Sequence, residues 1–409
     1  MRIPDESRRV STMIDPKKIR SAQFNDIYYP YVDGVVQTVH NYAGLMNQTG
    51  YCCVVTPRPP QNYDDSDKGY EIYRTSSLRV PFVEYALPAP KFDNKIKTFL
   101  QNRKLDILHA HSPFMEGSFA ASYAKKLGIP SVASFHSKYY DDVINITGSK
   151  TLAKIVTAKI VRFYKSVDSV WSCSAGTADT LRSYGYRGDI VVMDNGTTYE
   201  MPSNPDELRA KAAAAFKIPA DKHILLFVGQ QIWHKNLKLV LDTFKLLENH
   251  CDDYRLFIVG NGYDGAAIRK YADAQDFRDG RVNFVGKIAD REVLQGLYLS
   301  ADLFFFPSMY DNSPLVVREA ASMGVPSLLT AGSNAAEAIE HNVTGFTAEE
   351  NKVAMFREIL RIFGTEGLLE QVSDAARQNV AKTWKEIVPL VQEKYAEIIE
   401  AYQFQHRTK

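Results

Sequence analysis

The chain has 409 residues, of which 45% are hydrophobic and 24% are charged. This composition is typical of a globular protein, and the length predicts two to three domains. The formal net charge of +1 argues against a nucleic-acid partner and against an acidic partner attracted by charge. No apolar run approaches the length that spans a membrane, and no signal peptide with an apolar core is visible.

Strand and helix patterns alternate along the first half of the chain. Residues 1–17 are polar, and we expect them to form a disordered extension. Strands are predicted at 20–27, 51–56, 106–110, 131–136, 169–173 and 190–193. Helices are predicted at 35–48, 92–102, 115–127, 149–166 and 176–184. This alternation predicts a doubly wound parallel sheet, whose ligands bind at the carboxyl ends of the strands.

The alternation is interrupted once and then starts again. Asn195-Gly196 and the polar stretch 199–205 predict a boundary between a first domain, 18–198, and a second domain, 199–384. Strands of the second domain are predicted at 223–228, 255–259, 282–285, 302–306, 326–330 and 344–347. Helices follow at 351–362, 366–382 and 386–404. The sequence therefore predicts an α/β protein of two doubly wound, Rossmann-like domains that face a central cleft.

The chain contains four cysteines, which are Cys52, Cys53, Cys173 and Cys251. They lie in or beside apolar segments, and their spacing does not match that of metal ligands. We therefore expect buried, reduced thiols and a cytoplasmic protein.

The helix predicted at 149–166 combines basic and apolar residues. Its basic residues are Lys150, Lys154, Lys159, Arg162 and Lys165. A basic amphipathic helix is typical of peripheral contact with an anionic membrane. A helix packed on a sheet with a solvated charged face gives the same pattern, so both readings stay open.

The most informative segment begins with the apolar run Leu303–Phe306, which ends at a Pro-Ser pair like a buried strand. A polar turn follows at 310–313, and Pro314 then opens a helix. The first N–H groups of a helix are free and its N-terminus is partly positive, so the turn predicts an anion site. Asp311 and Glu319 stand eight positions apart, where they could hold two ends of one ligand.

This segment resembles the retaining glycosyltransferases of family 4, which have the two-domain GT-B fold. Their pattern of Glu, seven residues, Glu-Ala and Gly-x-Pro stands here as Asp311, seven residues, Glu319-Ala320 and Gly324-Val325-Pro326. The resemblance implies that Glu319 binds the ribose of a nucleotide sugar and that Asp311 is a catalytic residue facing the sugar. It also implies donor contacts from the turn, namely Asn312, Ser313, Pro314, Leu315 and Val316.

The resemblance extends over nearly the whole chain from about residue 19. It is closest to the family's diacylglycerol glycosyltransferases and mannosyltransferases. It implies that a last helix, 385–409, crosses back to the first domain. Packing is the expected role of Trp384, Tyr395 and Tyr402 near this crossing.

The loop after the first predicted strand supplies the opposite wall of the cleft. Gly34 follows Asp33 at the junction with a helix, where a glycine lets a phosphate or a sugar approach the backbone. Family members usually carry Gly-Gly here, so the resemblance implies a donor contact at Gly34. By itself this glycine also fits a simple turn.

Three histidines lie at predicted strand ends. His109 and His111 share one face of their strand, and with His136 they raise the alternative of a metal site, although no third ligand has clear spacing. Packing or acceptor contact is the other reading of His109 and His111, and a structural hydrogen bond that of His136. The resemblance implies that His136 is catalytic beside the sugar and the β-phosphate, and that no metal or other cofactor is needed.

The strand predicted at 223–228 leads into Gly229 and Gln230, and Lys235 follows five positions later. Many relatives carry Arg and Lys at these two places, and both bind the diphosphate. The resemblance thus implies donor binding at Gln230 and a catalytic role for Lys235. Gln230 brings no charge, so Lys235 would carry more of the leaving-group stabilisation. Gly286 and Lys287 resemble the family's base-binding loop.

The resemblance implies a retaining, metal-independent hexosyltransferase. It would move a hexose from a nucleotide-diphosphate donor, with a UDP-sugar favoured, to a hydroxyl of a lipid or carbohydrate acceptor such as diacylglycerol. The alternative is a non-catalytic sugar-nucleotide-binding or accessory protein, because Asp33, Gln230 and Asp311 depart from the family pattern. An NAD-dependent oxidoreductase is disfavoured, since no Gly-x-Gly-x-x-Gly follows the first strand.

Overall fold

The computed structural model describes residues 14–78 and 86–407, which form two α/β lobes. Residues 1–13 of the predicted extension lie outside the described residues. The end of the extension is ordered: Pro16–Lys18 form a 3-10 turn that contacts the last helix of the chain. The backbone N–H of Ile14 also donates to the carboxylate of Glu400 at 3.1 Å.

The first lobe is built on a seven-stranded parallel sheet. Its strands and a short hairpin are β1 (Arg20–Phe24), β2 (Tyr51–Pro57), β3 (Glu71–Thr75), β4 (Ser77–Leu78), β5 (Leu87–Pro88), β6 (Ile107–Ala110), β7 (Ser131–Phe135), β8 (Ser169–Ser172) and β9 (Val191–Val192). β4 and β5 form a separate antiparallel pair, and the sheet has the order β3-β2-β1-β6-β7-β8-β9. The winding reverses between β1 and β6, so the ends of these two strands flank a crevice suited to a ligand.

Among the described residues, six helices lie between β1 and β9 in the chain. They are α1 (Gly34–Met46), α2 (Asn94–Asn102), α3 (Met115–Leu127), α4 (Tyr139–Thr147), α5 (Lys150–Tyr164) and α6 (Ala175–Ser183). Side-chain caps fix several of their starts: the Asp33 carboxylate accepts from the N–H of Val36 at 2.7 Å, and Ser149 caps α5 in the same way.

The second lobe repeats the design on a six-stranded parallel sheet. Its strands are β10 (His223–Val228), β11 (Tyr254–Val259), β12 (Val282–Gly286), β13 (Leu303–Phe305), β14 (Ser327–Thr330) and β15 (Phe346–Ala348), in the order β12-β11-β10-β13-β14-β15. The helices are α7 (Pro205–Phe216), α8 (Leu237–His250), α9 (Gly265–Asp273), α10 (Arg291–Leu299), α11 (Leu315–Ser322), α12 (Lys352–Gly364), α13 (Leu368–Asn379) and α14 (Trp384–Arg407). Here the winding reverses between β10 and β13.

The last helix, α14, packs on the first lobe. The chain crosses between the lobes at Thr197 and returns at Thr383, and backbone hydrogen bonds join the two crossings: Thr197 N–H to the Lys382 carbonyl at 2.8 Å, and Trp384 N–H to the Thr197 carbonyl at 3.1 Å. Beyond this point α14 buries apolar side chains, Tyr395 among them, in a core shared with α1.

The described part of the chain contains no helix that is both long and apolar enough to cross a bilayer. The four cysteines carry free thiols, and three of them are buried.

Candidate active site

A cleft of about 480 Å³ opens between the lobes at the carboxyl ends of both sheets. The loops after β1 and β7 form one wall, and the loops after β10 and β13 form the other. The cleft brings together the following predicted residues: Gly34, His136, Gln230, Lys235, Asp311, Asn312, Ser313, Pro314, Leu315, Val316 and Glu319. Gly286 and Lys287 stand at the end of β12, an edge strand, and do not line this cleft. The roles of all these residues stay predictions.

The N-terminus of α11 points its first amide groups into the cleft. Leu315 and Val316 open the helix, where N–H groups have no carbonyl partner within the helix. Pro314, predicted above as part of the same cradle, has no amide hydrogen and serves as the residue before the helix. The positive end of the helix therefore reaches the cleft through two N–H groups, at Leu315 and Val316.

Lys235 and Asp311 lie next to each other in the wall that the second lobe contributes to the cleft. The Lys235 ammonium pairs with the Asp311 carboxylate, and the Ser308 hydroxyl donates to the other carboxylate oxygen at 2.6 Å. Both charged side chains are mostly buried, with 12% and 16% of their surface exposed. Lys235 stands at the end of the 3-10 turn Trp233–Lys235, which fixes its backbone next to the cleft. The predicted phosphate-binding lysine is thus already positioned, with a carboxylate as its partner.

Glu319 lies one helical turn further along α11 and has a different environment. The Tyr298 hydroxyl donates to its carboxylate at 3.0 Å. Burial raises the pKa of Glu319 to about 7, while the Tyr298 hydrogen bond and the positive charge of Arg291 act in the opposite direction. This carboxyl therefore changes charge near neutral pH.

Asp33 and Gly34 stand where the cleft meets α1. A side chain added at Gly34 would meet nothing within 4 Å, so this position opens onto free space in the cleft. Asp33, the departure from Gly-Gly, caps α1. The aspartate before a helical pattern could have identified this cap from the sequence.

His109, His111 and His136 lie side by side in the first lobe. His136 lines the cleft, and its Nε2 is 3.2 Å from Nδ1 of His111. His109 contacts Tyr395 and Ser134, and burial lowers the pKa of all three rings. Within 14–78 and 86–407, no group of three or more His, Cys, Asp or Glu side chains is arranged to hold a metal ion.

Several polar contacts join the two walls of the cleft, and the sequence did not indicate them. The Asn312 amide donates to the His136 carbonyl at 2.6 Å, and the Asn195 amide donates to the Ser313 carbonyl at 3.0 Å. The ammonium of Lys138 donates to the carbonyl of Met309 at 2.8 Å. Each pair joins residues more than 100 positions apart, so no local spacing could have predicted it.

Two protein-family models match this chain, one on each lobe. The model described as Glycosyltransferase Family 4 matches residues 32–200, and the one described as Glycosyl transferases group 1 matches residues 209–379. Together they span most of both lobes: the first match ends at residue 200, just after the Thr197 crossing, and the second begins at residue 209.

The chain is also similar to characterised proteins over most of its length. It is 25% identical to the alpha-monoglucosyldiacylglycerol synthase of Streptococcus pneumoniae, over 75% of this chain and 70% of that protein. It is 25% identical to the GDP-mannose-dependent alpha-mannosyltransferase of Corynebacterium glutamicum, over 94% of this chain and 90% of that protein. Among solved structures, the sucrose-phosphate synthase of Thermosynechococcus elongatus superposes with a TM-score of 0.76, at 18% identity, over 93% of this chain and all of that one.

Proposed function

This chain belongs to the glycosyltransferases of family 4, and on that premise we propose that it transfers a hexose from a UDP-sugar to a hydroxyl group of a membrane lipid, with retention of configuration. Its two facing lobes confirm the predicted GT-B fold. The observation that carries the proposal is the meeting of Lys235, the N-terminus of α11 and Glu319 in one cleft. These groups match the diphosphate and the ribose of one donor.

The chemical problem is the heterolysis of a sugar–phosphate bond, in which negative charge grows on the departing diphosphate. Lys235 and the N–H groups of Leu315 and Val316 place positive charge where that charge develops. The exposed Gln230 amide adds a neutral donor on the same wall. Because these groups supply the stabilisation, we propose that the reaction needs no metal and no other cofactor.

The Lys235–Asp311 ion pair prepares the site for exchange of partners. A diphosphate entering the cleft competes with Asp311 for the ammonium. Once Lys235 turns to the phosphates, the Asp311 carboxylate accepts hydrogen bonds from the sugar hydroxyls while Ser308 keeps it in place. The pair thus keeps both charges satisfied until the donor arrives.

The reaction that we propose proceeds on one face of the sugar. The bond from the anomeric carbon to the phosphate oxygen breaks, and the acceptor oxygen bonds to that carbon on the same face. The acceptor proton passes to an oxygen of the leaving phosphate. Asp311, which the Ser308 hydroxyl keeps in place, accepts hydrogen bonds from the sugar hydroxyls in this proposal and is not proposed as a nucleophile.

The exposed face of α5 supports a lipid acceptor. Four of its basic side chains, Lys150, Lys154, Lys159 and Arg162, are exposed, and Ile155 beside them is 50% exposed. Ile146, at the end of α4, is 84% exposed next to this face. Exposed apolar side chains within a basic surface match the interface of an anionic membrane. The S. pneumoniae relative is named for a diacylglycerol glycolipid, which agrees with this acceptor class.

A calorimetric panel tests the donor. The purified protein is titrated with UDP, GDP and ADP, and then with their hexose derivatives. Selective binding of UDP is the expected result. Selective binding of GDP would replace the donor with a GDP-sugar, as in the name of the C. glutamicum relative. No binding by any nucleotide would refute the enzyme assignment of this cleft.

Turnover separates the enzyme from a non-catalytic binding protein. The protein is incubated with the selected donor, with and without diacylglycerol in vesicles, and released nucleotide is measured. We expect release that increases with acceptor and is lost in Lys235→Met. A protein that binds the donor and releases no nucleotide with any lipid or sugar acceptor would support the accessory role instead.

Vesicle sedimentation tests the membrane contact. Vesicles with about a third anionic lipid should retain the protein at low salt and release it at high salt. The double variant Lys154→Glu, Lys159→Glu should lose binding. Lys352→Glu, Arg357→Glu on α12 changes the net charge equally at exposed sites on the other lobe and should retain it. Equal losses in both variants would contradict a role of α5.

A further inference from the structure

A file of buried polar side chains, that is, a row in which each is hydrogen-bonded to the next, leads from α14 to the cleft. Its members are Tyr395 on α14, Gln23 on β1, His111 after β6 and His136 after β7. The Gln23 amide nitrogen is 3.4 Å from the Tyr395 hydroxyl, and its amide oxygen is 2.9 Å from Nε2 of His111. Nδ1 of His111 is 3.2 Å from Nε2 of His136. At most 1% of the surface of Tyr395, Gln23 or His111 is exposed.

The protonation of each histidine ring in this file follows from its partners. Burial lowers the pKa of His111 well below its ordinary value and that of His136 to about 4, so both rings are neutral and carry one proton. The amide oxygen of Gln23 only accepts, so the proton of His111 is on Nε2. Nδ1 of His111 then accepts, and the proton of His136 must be on Nε2.

A side branch fixes the orientation of the Gln23 amide. The Tyr395 hydroxyl lies 2.5 Å from Nδ1 of His109, and Nε2 of His109 lies 2.8 Å from the Ser134 hydroxyl. A tyrosine hydroxyl that donates to His109 can accept from Gln23. The amide nitrogen also lies 3.5 Å from the Cys52 sulfur, a weak acceptor. Both neighbours therefore favour the nitrogen on this side and the oxygen toward His111.

We propose that Gln23 is a positioning residue: through His111 it holds His136 in the tautomer protonated on Nε2, so that Nδ1 of His136 accepts a hydrogen bond from a hydroxyl of the donor hexose. The sugar contact rests on the proposed function, whereas the tautomer does not. An unprotonated Nδ1 cannot donate to a phosphate. Of the two contacts predicted for the His136 ring, with the sugar and with the β-phosphate, this proposal therefore keeps only the contact with the sugar.

The tautomer is measured directly in the donor-free protein. Long-range proton–nitrogen correlation spectra of protein labelled with ¹⁵N-histidine distinguish protonated from unprotonated ring nitrogens. His136→Gln assigns the signal. We expect His136 to carry its proton on Nε2 throughout the neutral range. A proton on Nδ1, or a mixture of tautomers, would overturn the proposal whether or not the protein has transferase activity.

Gln23→Leu removes the acceptor of His111 and should produce a mixed His136 tautomer. Thr157→Ala on α5 is the matched control, because it removes one buried hydrogen bond, from the Thr157 hydroxyl to the Ala153 carbonyl at 2.9 Å, and touches neither the file nor its side branch. With donors deoxygenated at single positions, the wild type and Thr157→Ala should lose about two- to tenfold in kcat/KM at one hydroxyl. Gln23→Leu should lose that preference. An unchanged tautomer in Gln23→Leu would refute the positioning role.

Discussion

Lowering the pH from about 8 to about 6 should weaken donor binding about tenfold through Glu319. An ionised carboxylate accepts hydrogen bonds from both ribose hydroxyls, whereas a protonated one accepts fewer. With its pKa raised to about 7, Glu319 is about nine-tenths ionised at pH 8 and about one-tenth ionised at pH 6. Ribose hydroxyls favour the charged form, so binding lowers this pKa and releases protons. By linkage the affinity falls as the pH falls through 7.

Calorimetric titration with a UDP-hexose, whose diphosphate keeps a constant charge across this pH range, measures the effect. Glu319→Gln keeps the shape of the side chain and cannot ionise, so its affinity should be weaker at pH 8 and nearly independent of pH. Glu349→Gln removes an exposed carboxylate outside the cleft and should retain the wild-type slope. A tenfold slope that persists in Glu319→Gln would therefore refute the assignment to Glu319.

Three further predictions test other features. Gly34→Ala should leave Tm unchanged or slightly raised, since an added methyl group meets no other atom there, but it should weaken UDP binding several-fold in thermal-shift titrations. An unchanged affinity for UDP would show that the donor binds elsewhere. Lys235→Met should lower kcat at least about a hundredfold and Gln230→Met less than about tenfold in single-turnover assays; equal losses would contradict the division of roles. Burial raises the pKa of Glu116, in the core of the first lobe, to about 8, so the free energy of unfolding measured in urea should fall by a few kcal/mol between about pH 5 and pH 9. Glu116→Gln should remove this pH dependence, and an equal pH dependence in wild type and variant would exclude Glu116 as its source.

The regular elements of the fold followed closely from the sequence where the hydrophobic pattern was strong. The strand predicted at 223–228 and the helix predicted at 115–127 have the observed bounds. β3 was missed, because Glu71–Thr75 is a half-buried edge strand with little apolar content. α4 was missed because Tyr139–Thr147 is a short helix that buries none of its residues fully.

The sequence indicated several residues that line the cleft, but it did not indicate the contacts between them. The strand-turn-helix pattern located Asp311 and Glu319, and the end of β10 located Lys235. The pairing of Lys235 with Asp311 was not foreseen, because 76 positions separate them and the fold alone brings them together. The contact of Gln23 with His111 depends in the same way on the adjacency of β1 and β6.

The packing of α14 on the first lobe bears on how this chain is made in the cell. The core shared by α1 and α14 contains Trp384, Val391 and Tyr395, all of which are buried there. During translation these residues are synthesised only after the entire second lobe. The first lobe is synthesised first, but part of its apolar core therefore stays uncovered until the second lobe has been made and α14 can pack on it.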